Sequence, residues 1–387
     1  MGWRAAAVRR RHTPKRNPML KKAPTDNRVF DALGVLLFGQ RSRVQNARTT
    51  FADEIQYVFS LSKEQLCGFL KQAEMQRVLR RMLHVLKNNL PNTGDEVAGE
   101  TLDQFILEER GRVKTALAYL HEIAGIFEKS GHPIVVMKTL DHWPDTGSDV
   151  DLLVTADDAE VCQIFEKDLG ARKQPKSWGD RLAHKFNFRV PGLAELVEVH
   201  VDCLGQTGEQ KALARGILDR SVLQSYDSFT FPVPLPEDRI VIATLQRMYR
   251  HYYIRLTDIV NIYDLLSDNR VDFDRLKAIA DVGSVWPGVA TLLTIVCQHA
   301  VRFGGDSIYL PDCVTIAARF GATRTYLDQK FVRVPLVPEA ANLFWGQLIG
   351  IGRKHHFRAM MRLSLLPLLA TAAFVSFRVT GNDKGVW

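Results

Sequence analysis

The chain has 387 residues, 46% hydrophobic and 24% charged, which suits a globular protein of two or three domains and excludes a disordered chain. Its formal net charge of +8 lies wholly in the first 28 residues, which hold nine basic side chains and one acid, Asp26. The remainder is neutral, so the basic balance reports a tail and does not by itself indicate a nucleic-acid-binding surface.

Residues 1–25 read as a basic disordered arm, an Arg-rich targeting peptide, or an extension upstream of a start at Met19. As an arm, this segment would reach RNA or an acidic membrane surface. Residues 26–130 are predicted to be mainly helical. Ser62-Lys63-Glu64-Gln65 is a capping box. An apolar stripe from Leu66 to Leu86 follows at helical spacing, ending near Asn89 and Pro91. A second long helix is predicted over Glu100–Lys129, with Gly131 as its terminator.

Residues 131–233 are predicted to form an α+β core. Ile134-Val135-Val136-Met137 is a buried strand ending at Lys138-Thr139. Asp149-Val150-Asp151-Leu152-Leu153-Val154 is a second strand, entered through Gly147-Ser148. A helix is predicted over Asp157–Leu169. His184–Val190 then alternates Lys185, Asn187 and Arg189 against Phe186, Phe188 and Val190. After a Pro191-Gly192 turn, a further strand carries Glu198, His200 and Asp202 on one face and Val197, Val199 and Val201 on the other. Residues 209–225 fit another helix, and Phe229–Val233 a final strand. The tight Pro-Gly hairpin implies a mixed sheet.

From 234 to 387 the pattern is helical again, with candidate helices over Asp238–Arg250, Arg255–Leu266, Asp274–Ala280 and Val289–Arg302. The apolar run Leu363–Phe377 is fifteen residues long and contains Pro367. A membrane span needs about 20 residues, so no stable membrane insertion is expected. Five scattered cysteines without a Cys-x-x-Cys spacing read as reduced thiols of a cytoplasmic protein, with no zinc site.

The chemistry concentrates at Asp149 and Asp151. Alternate residues of a strand share a face, so the two carboxylates point the same way and repel each other unless a cation lies between them. Oxygen ligation of this kind suits Mg²⁺, with phosphates completing its shell. Glu198 on a neighbouring strand would supply the third acid of a two-metal phosphoryl-transfer site, with Asp202 as a second candidate for that role.

These motifs resemble the nucleotidyltransferase superfamily typified by DNA polymerase β, and within it the bacterial NTP_transf_5 family, related to nucleotidyltransferase toxins. The resemblance rests on Met137-Lys138-Thr139, Asp149–Val154, Val197–His200, Pro234–Asp238 and Arg255–Asp264, spanning roughly residues 131–300. Thr139 stands where the family has Gly, and Leu140 where it has Ser. The resemblance implies a small mixed-sheet nucleotidyltransferase core flanked by helical regions. It implies transfer of NMP from an NTP, ATP included, to a hydroxyl acceptor, with Asp149, Asp151 and Glu198 as catalytic metal ligands for Mg²⁺ or Mn²⁺. Lys138, Thr139, Gly147, Ser148, Arg255 and Asp258 would bind the nucleotide, and His200 would orient a carboxylate or approach the acceptor. RNA, tRNA especially, and small hydroxylated molecules are the candidate acceptors. The rival reading is a catalytically silent nucleotide-binding or scaffold protein that retains the fold.

Overall fold

The computed structural model describes residues 26–41, 45–90, 96–328, 330–368 and 371–372. The basic tail 1–25 and residues 369–370 and 373–377 of the Leu363–Phe377 run therefore lie outside the described residues. Helices α1 (Asp26–Phe38) and α2 (Gln45–Phe59) open the fold. The Ser62 box starts α3 (Lys63–Met75): Gln65 N–H donates to Ser62 Oγ and Ser62 N–H to Gln65 Oε1.

The apolar stripe from Leu66 to Leu86 does not run as one helix. It breaks into α3 and α4 (Leu79–Asn88) at Gln76–Val78. Arg77 takes φ +58°, its N–H bonds to Glu74 O at 2.9 Å, and Val78 N–H bonds to Ala73 O at 3.0 Å. This Schellman closure usually places Gly at the left-handed position, as Gly131 does at the end of α5. Arg77 occupies it at a steric cost of about 1–2 kcal/mol. No Gly or Pro marks the break in the sequence. What holds it is Gln76, fully buried, whose Oε1 accepts from Leu256 N–H at 3.0 Å. Its Nε2 donates to Lys330 O at 2.5 Å, and its carbonyl accepts from Thr257 N–H at 3.3 Å. The turn is thus bonded to the start of a helix some 180 residues downstream.

Helix α5 (Glu96–Lys129) starts one turn earlier than expected and is about 51 Å long at 1.5 Å per residue. Its first turns, with Ala98 and Leu102, join the core built by the N-terminal helices and the C-terminal α9 (Pro236–Gln246), α10 (Leu256–Ser267), α11 (Phe273–Val282) and α12 (Trp286–Arg302). Its later turns, with Val113, Leu117, Leu120 and Phe127, cover one face of the sheet.

That sheet has the order β1-β2-β5-β4-β3, from β1 (Ile134–Met137), β2 (Asp149–Val154), β3 (Arg172–Lys173), β4 (Lys185–Arg189) and β5 (Leu196–Val201). Only β2 and β5 run parallel, so the sheet is mixed and the fold α+β, as expected. Ile134, Val136, Val150, Leu152, Val197 and Val199 form the α5-facing side. The hairpin between β4 and β5 needs Gly192 at φ +83°, where a Cβ would lie 2.3 Å from the Tyr119 hydroxyl.

Elsewhere boundaries shift. The helix expected over Asp157–Leu169 is α6 (Asp158–Gln163) widened into a π turn through Asp168, and α7 (Trp178–Leu182) precedes β4. The helix expected over 209–225 is α8 (Lys211–Arg220) alone. Val222–Tyr226 turns back as β6 against β7 (Phe229–Val233) through Asp227 at φ +50°. Helix α9 likewise ends in a π turn over Arg247–His251. Two-residue β8 (Tyr253–Ile254) pairs with β10 (Phe331–Arg333), which pairs with β9 (Tyr326–Asp328). Among the described residues no helix is long and apolar enough to cross a membrane.

Gln76→Ala removes two side-chain hydrogen bonds and orphans Leu256 N–H and the Lys330 carbonyl. At about 1–3 kcal/mol for an orphaned buried group, the variant should lose about 2–4 kcal/mol in urea unfolding.

Candidate active site

The opposite sheet face carries Val135, Met137 and Leu153, covered by α8 and α9 through Ala214, Ile217 and Ile242. Where that apolar cover stops, the same face continues as Asp149 and Asp151 on β2, Glu198 and His200 on β5, and Lys185 and Asn187 on β4. Parallel pairing sets Asp151 directly beside Glu198, and Leu153 beside His200. One potential ligand atom from each of Asp151, Glu198 and His200 falls within 4.8 Å of the others.

These acids are already paired with lysines. Lys138, at the end of β1, adopts φ +54°, which turns its side chain back over the sheet. Its N–H donates to Asp141 Oδ2 at 3.1 Å, and Asp141 is paired with Arg239 at 3.2 Å. The Lys138 ammonium bonds to Asp151 and lies 3.4 Å from Glu198 Oε1 and 3.5 Å from His200 Nε2. Lys185, with 2% of its side chain exposed, lies 2.7 Å from Glu198 Oε2 and 3.4 Å from Asp180. Charges of alternating sign therefore cross the face from Asp151 through Lys138, Glu198 and Lys185 to Asp180.

Electrostatics follow from that order. Burial alone would raise the pKa of Glu198, but Lys185 and Lys138 outweigh it and hold the carboxyl well below its usual range. Burial, with the neighbouring Glu198 charge adding to it, pushes Asp151 up to about 7 against the pull of Lys138. Burial opposes the charge on Lys138, yet Asp151 and Glu198 raise its pKa. Burial, with Lys138 adding to it, lowers His200 to about 3 despite its bond to Glu198. His200 is thus neutral, donates from Nε2 to Glu198 Oε1 at 2.7 Å, and keeps Nδ1 buried without a partner. Its position is that of a group orienting Glu198.

Asp149, half-buried at the start of β2, accepts from Ser148 Oγ at 3.0 Å. The remaining expected residues are placed as follows. Thr139 is buried with its hydroxyl spent on β2: it donates to Asp149 O at 3.2 Å and accepts from Asp151 N–H at 2.8 Å. Its methyl and hydroxyl therefore fold into the sheet instead of crowding the cleft. Gly147 lends its carbonyl to Arg112 at 3.4 Å. Asp202 is displaced from the cluster: β5 ends at Val201, and Asp202 turns to φ +53° with its side chain exposed. It lies four residues beyond Glu198, about 13 Å along the strand direction.

Arg255 and Asp258 do not pair side chain to side chain. Asp258 Oδ2 accepts from the Arg255 N–H at 2.8 Å and meets the Arg247 guanidinium at 2.7 Å, both side chains at most 3% exposed. The Arg255 guanidinium instead lies over Tyr253 and Phe331 and donates to the Tyr253 hydroxyl at 3.1 Å. Sequence reasoning missed Lys185 and Arg247. Lys185 was visible only as the polar side of an alternating strand, and Arg247 only as one more base on a helix.

A cavity of about 230 Å³ opens beside Lys138, between the loop after β1 and helices α9 and α10, with Trp143, Tyr226, Arg239, Asn261 and Asp264 among its walls.

A mixed sheet with acids on adjacent parallel strands, roofed by helices, is the arrangement expected of a nucleotidyltransferase core. Residues 62–298 match the family described as uncharacterised nucleotidyltransferase, NTP_transf_5, and the chain belongs to that family. No curated protein matches the chain.

Asp258→Ala strands the buried Arg247 charge. Breaking such a pair typically costs about 3–5 kcal/mol, which denaturant unfolding should register as a lowered midpoint.

Proposed function

We propose that the protein transfers a nucleoside monophosphate from an NTP to a hydroxyl, releasing pyrophosphate. The acceptor oxygen bonds to the α-phosphorus, the bond to the pyrophosphate oxygen breaks, and the hydroxyl proton is lost. The single observation supporting this reading is the register that sets Asp151 beside Glu198, with Asp149 one alternation earlier. Two carboxylates and an imidazole in this compass fit a divalent ion of the Mg²⁺ or Mn²⁺ type. Asp151 and Glu198 would hold it, with Asp149, one alternation earlier on the same strand face, as the third carboxylate. When bound, such an ion neutralises the triphosphate and lowers the pKa of the acceptor hydroxyl.

The chain's own residues divide the work. A carboxyl held far below its usual pKa is a weak proton acceptor but a permanent anion, so Glu198 serves as a ligand more than as a base. His200 keeps Glu198 oriented. Lys138 competes with a divalent ion for Asp151 and Glu198, and its ammonium lies at the border of the cleft where phosphate charge would compensate it. Ser148 bonds to Asp149 at its end of the cleft, and the Arg255 charge reaches Asp149 from the helical roof. The cavity beside Lys138, at about 230 Å³, is small for a ligand pocket. It suits a small hydroxylated molecule or one nucleoside of an RNA end. Five free thiols favour a reducing, cytoplasmic setting.

A silent nucleotide-binding protein is the second reading, favoured by the two lysines that already neutralise the acid pair.

Incubation with the four α-³²P-labelled NTPs, Mg²⁺ and cell extract should label an acceptor. Asp151→Asn and Glu198→Gln should each lower labelling by about 100-fold or more while leaving the circular dichroism unchanged. Retained labelling in either variant would eliminate the proposed ligand role. Lys138→Met removes a competing unit charge, so Mn²⁺ alone should bind about tenfold or more tightly than to the unaltered chain, read by electron paramagnetic resonance.

A further inference from the structure

Beyond Lys138, the loop after β1 offers little to a triphosphate, because Thr139 is bonded to β2 and Leu140 is buried. A different part of the chain presents a guanidinium at the Asp149 end. A cavity of about 200 Å³ there is lined by Arg77, Arg112, Thr146, Ser148 and acidic side chains. Those acids have cations of their own or face solvent, apart from the buried Glu195 Oε2, which has no hydrogen-bond partner among the described residues. Glu109 and Glu195 bind Arg112 at 2.5 and 2.6 Å, Asp145 binds Arg81 at 3.1 Å, and Glu74 is exposed.

Arg77 is left over. Among the described residues its guanidinium makes no ion pair, and its Nε is buried without a hydrogen-bond partner. Burial lowers its pKa, Arg255 lowers it further, and Asp149 acts in the opposite sense, so a second arginine and the first acid of β2 both lie within its electrostatic reach. Arg255 in turn is lowered by burial and by Arg247 and feels the same Asp149 charge. Its Nε too is buried without a partner. A half-buried guanidinium without an ion pair is costly, and the opposite charges that reach the two arginines, Asp149 for both with Glu74 at Arg77 and Asp258 at Arg255, do not offset burial. The backbone at Arg77 is fixed from behind by the three Gln76 hydrogen bonds, so the side chain is aimed by a rigid turn.

We infer that Arg77, supplied by the turn between α3 and α4, is a polyphosphate-binding residue that closes the Asp149 end of the cleft together with Arg255. This rests on the nucleotidyl-transfer reading for the identity of the polyanion, an NTP. The planar guanidinium matches phosphate oxygens two at a time, and the anion supplies the missing counter-charge. The anion-binding role is thereby shared between Lys138 and the N-terminal helices.

The test uses the full chain and calorimetry with two probes in Mg²⁺: α,β-methylene-ATP and inorganic tripolyphosphate. Arg77→Gly should weaken both by about tenfold or more, and Arg77→Lys should recover part of the loss. Because Gly suits the φ of +58°, Arg77→Gly should melt at or above the unaltered protein, which separates lost binding from lost folding. Mn²⁺ alone should bind the two proteins equally. Unchanged affinity of Arg77→Gly for both probes overturns the inference, as does a change confined to tighter Mn²⁺ binding, which would make Arg77 a mere counter-charge of Asp149. Failure of the unaltered chain to bind either probe also overturns it. Binding of both probes through Arg77 without label transfer to any acceptor would leave this inference standing and remove the transfer reading.

Discussion

One register governs the molecule: β2 and β5 run parallel with Asp151 opposite Glu198. Two carboxylates on adjacent strands of a buried face repel strongly, and burial sharpens the repulsion. The chain answers with Lys138 and Lys185, each placed by an unrelated local device. A left-handed residue returns Lys138 over the sheet, and ordinary strand alternation brings Lys185 inward from β4. The charges are interleaved, so each acid has a cation at hand and no residue can be removed without exposing another. Such a ladder also sets the terms on which a divalent ion enters, because ion and ammonium seek the same oxygens.

The helices around the sheet are not two separate attachments. Residues from α1, α3 and α4 share one apolar core with α9, α10 and α12, and α5 reaches from that core to the back of the sheet. This joint packing brings the α3–α4 turn against the start of α10. Through it Arg77, Arg255 and Asp149 come within electrostatic reach of one another although they are far apart in the chain. The polar face of the sheet is therefore framed by the N-terminal helices at one end and by α9 and α10 at the other.

Much of the fold was legible because it follows from local rules. The capping box at Ser62, the terminator Gly131, the alternation in β4 and β5 and the acid pair of β2 all express short-range chemistry. The misread elements share a different cause. The α3–α4 break has no breaker residue and depends on Gln76 bonding to a distant helix. Val222–Tyr226 was read as the tail of a helix because its partner strand was not recognised until Phe229. Asp202 keeps strand parity on paper, yet the strand stops one residue before it.

By itself, the sequence determined which residues would lie on which side of a strand, where helices could begin, and that an acid pair would crown one strand. Periodicity and capping depend only on neighbours within a few positions. Only the tertiary structure decided that Lys138 and Lys185 would sit among those acids, that Asp258 would serve Arg247 instead of Arg255, and that Arg77 would form no ion pair among the described residues. Those outcomes depend on charge and burial summed over elements scores of residues apart, and no local pattern encodes that sum.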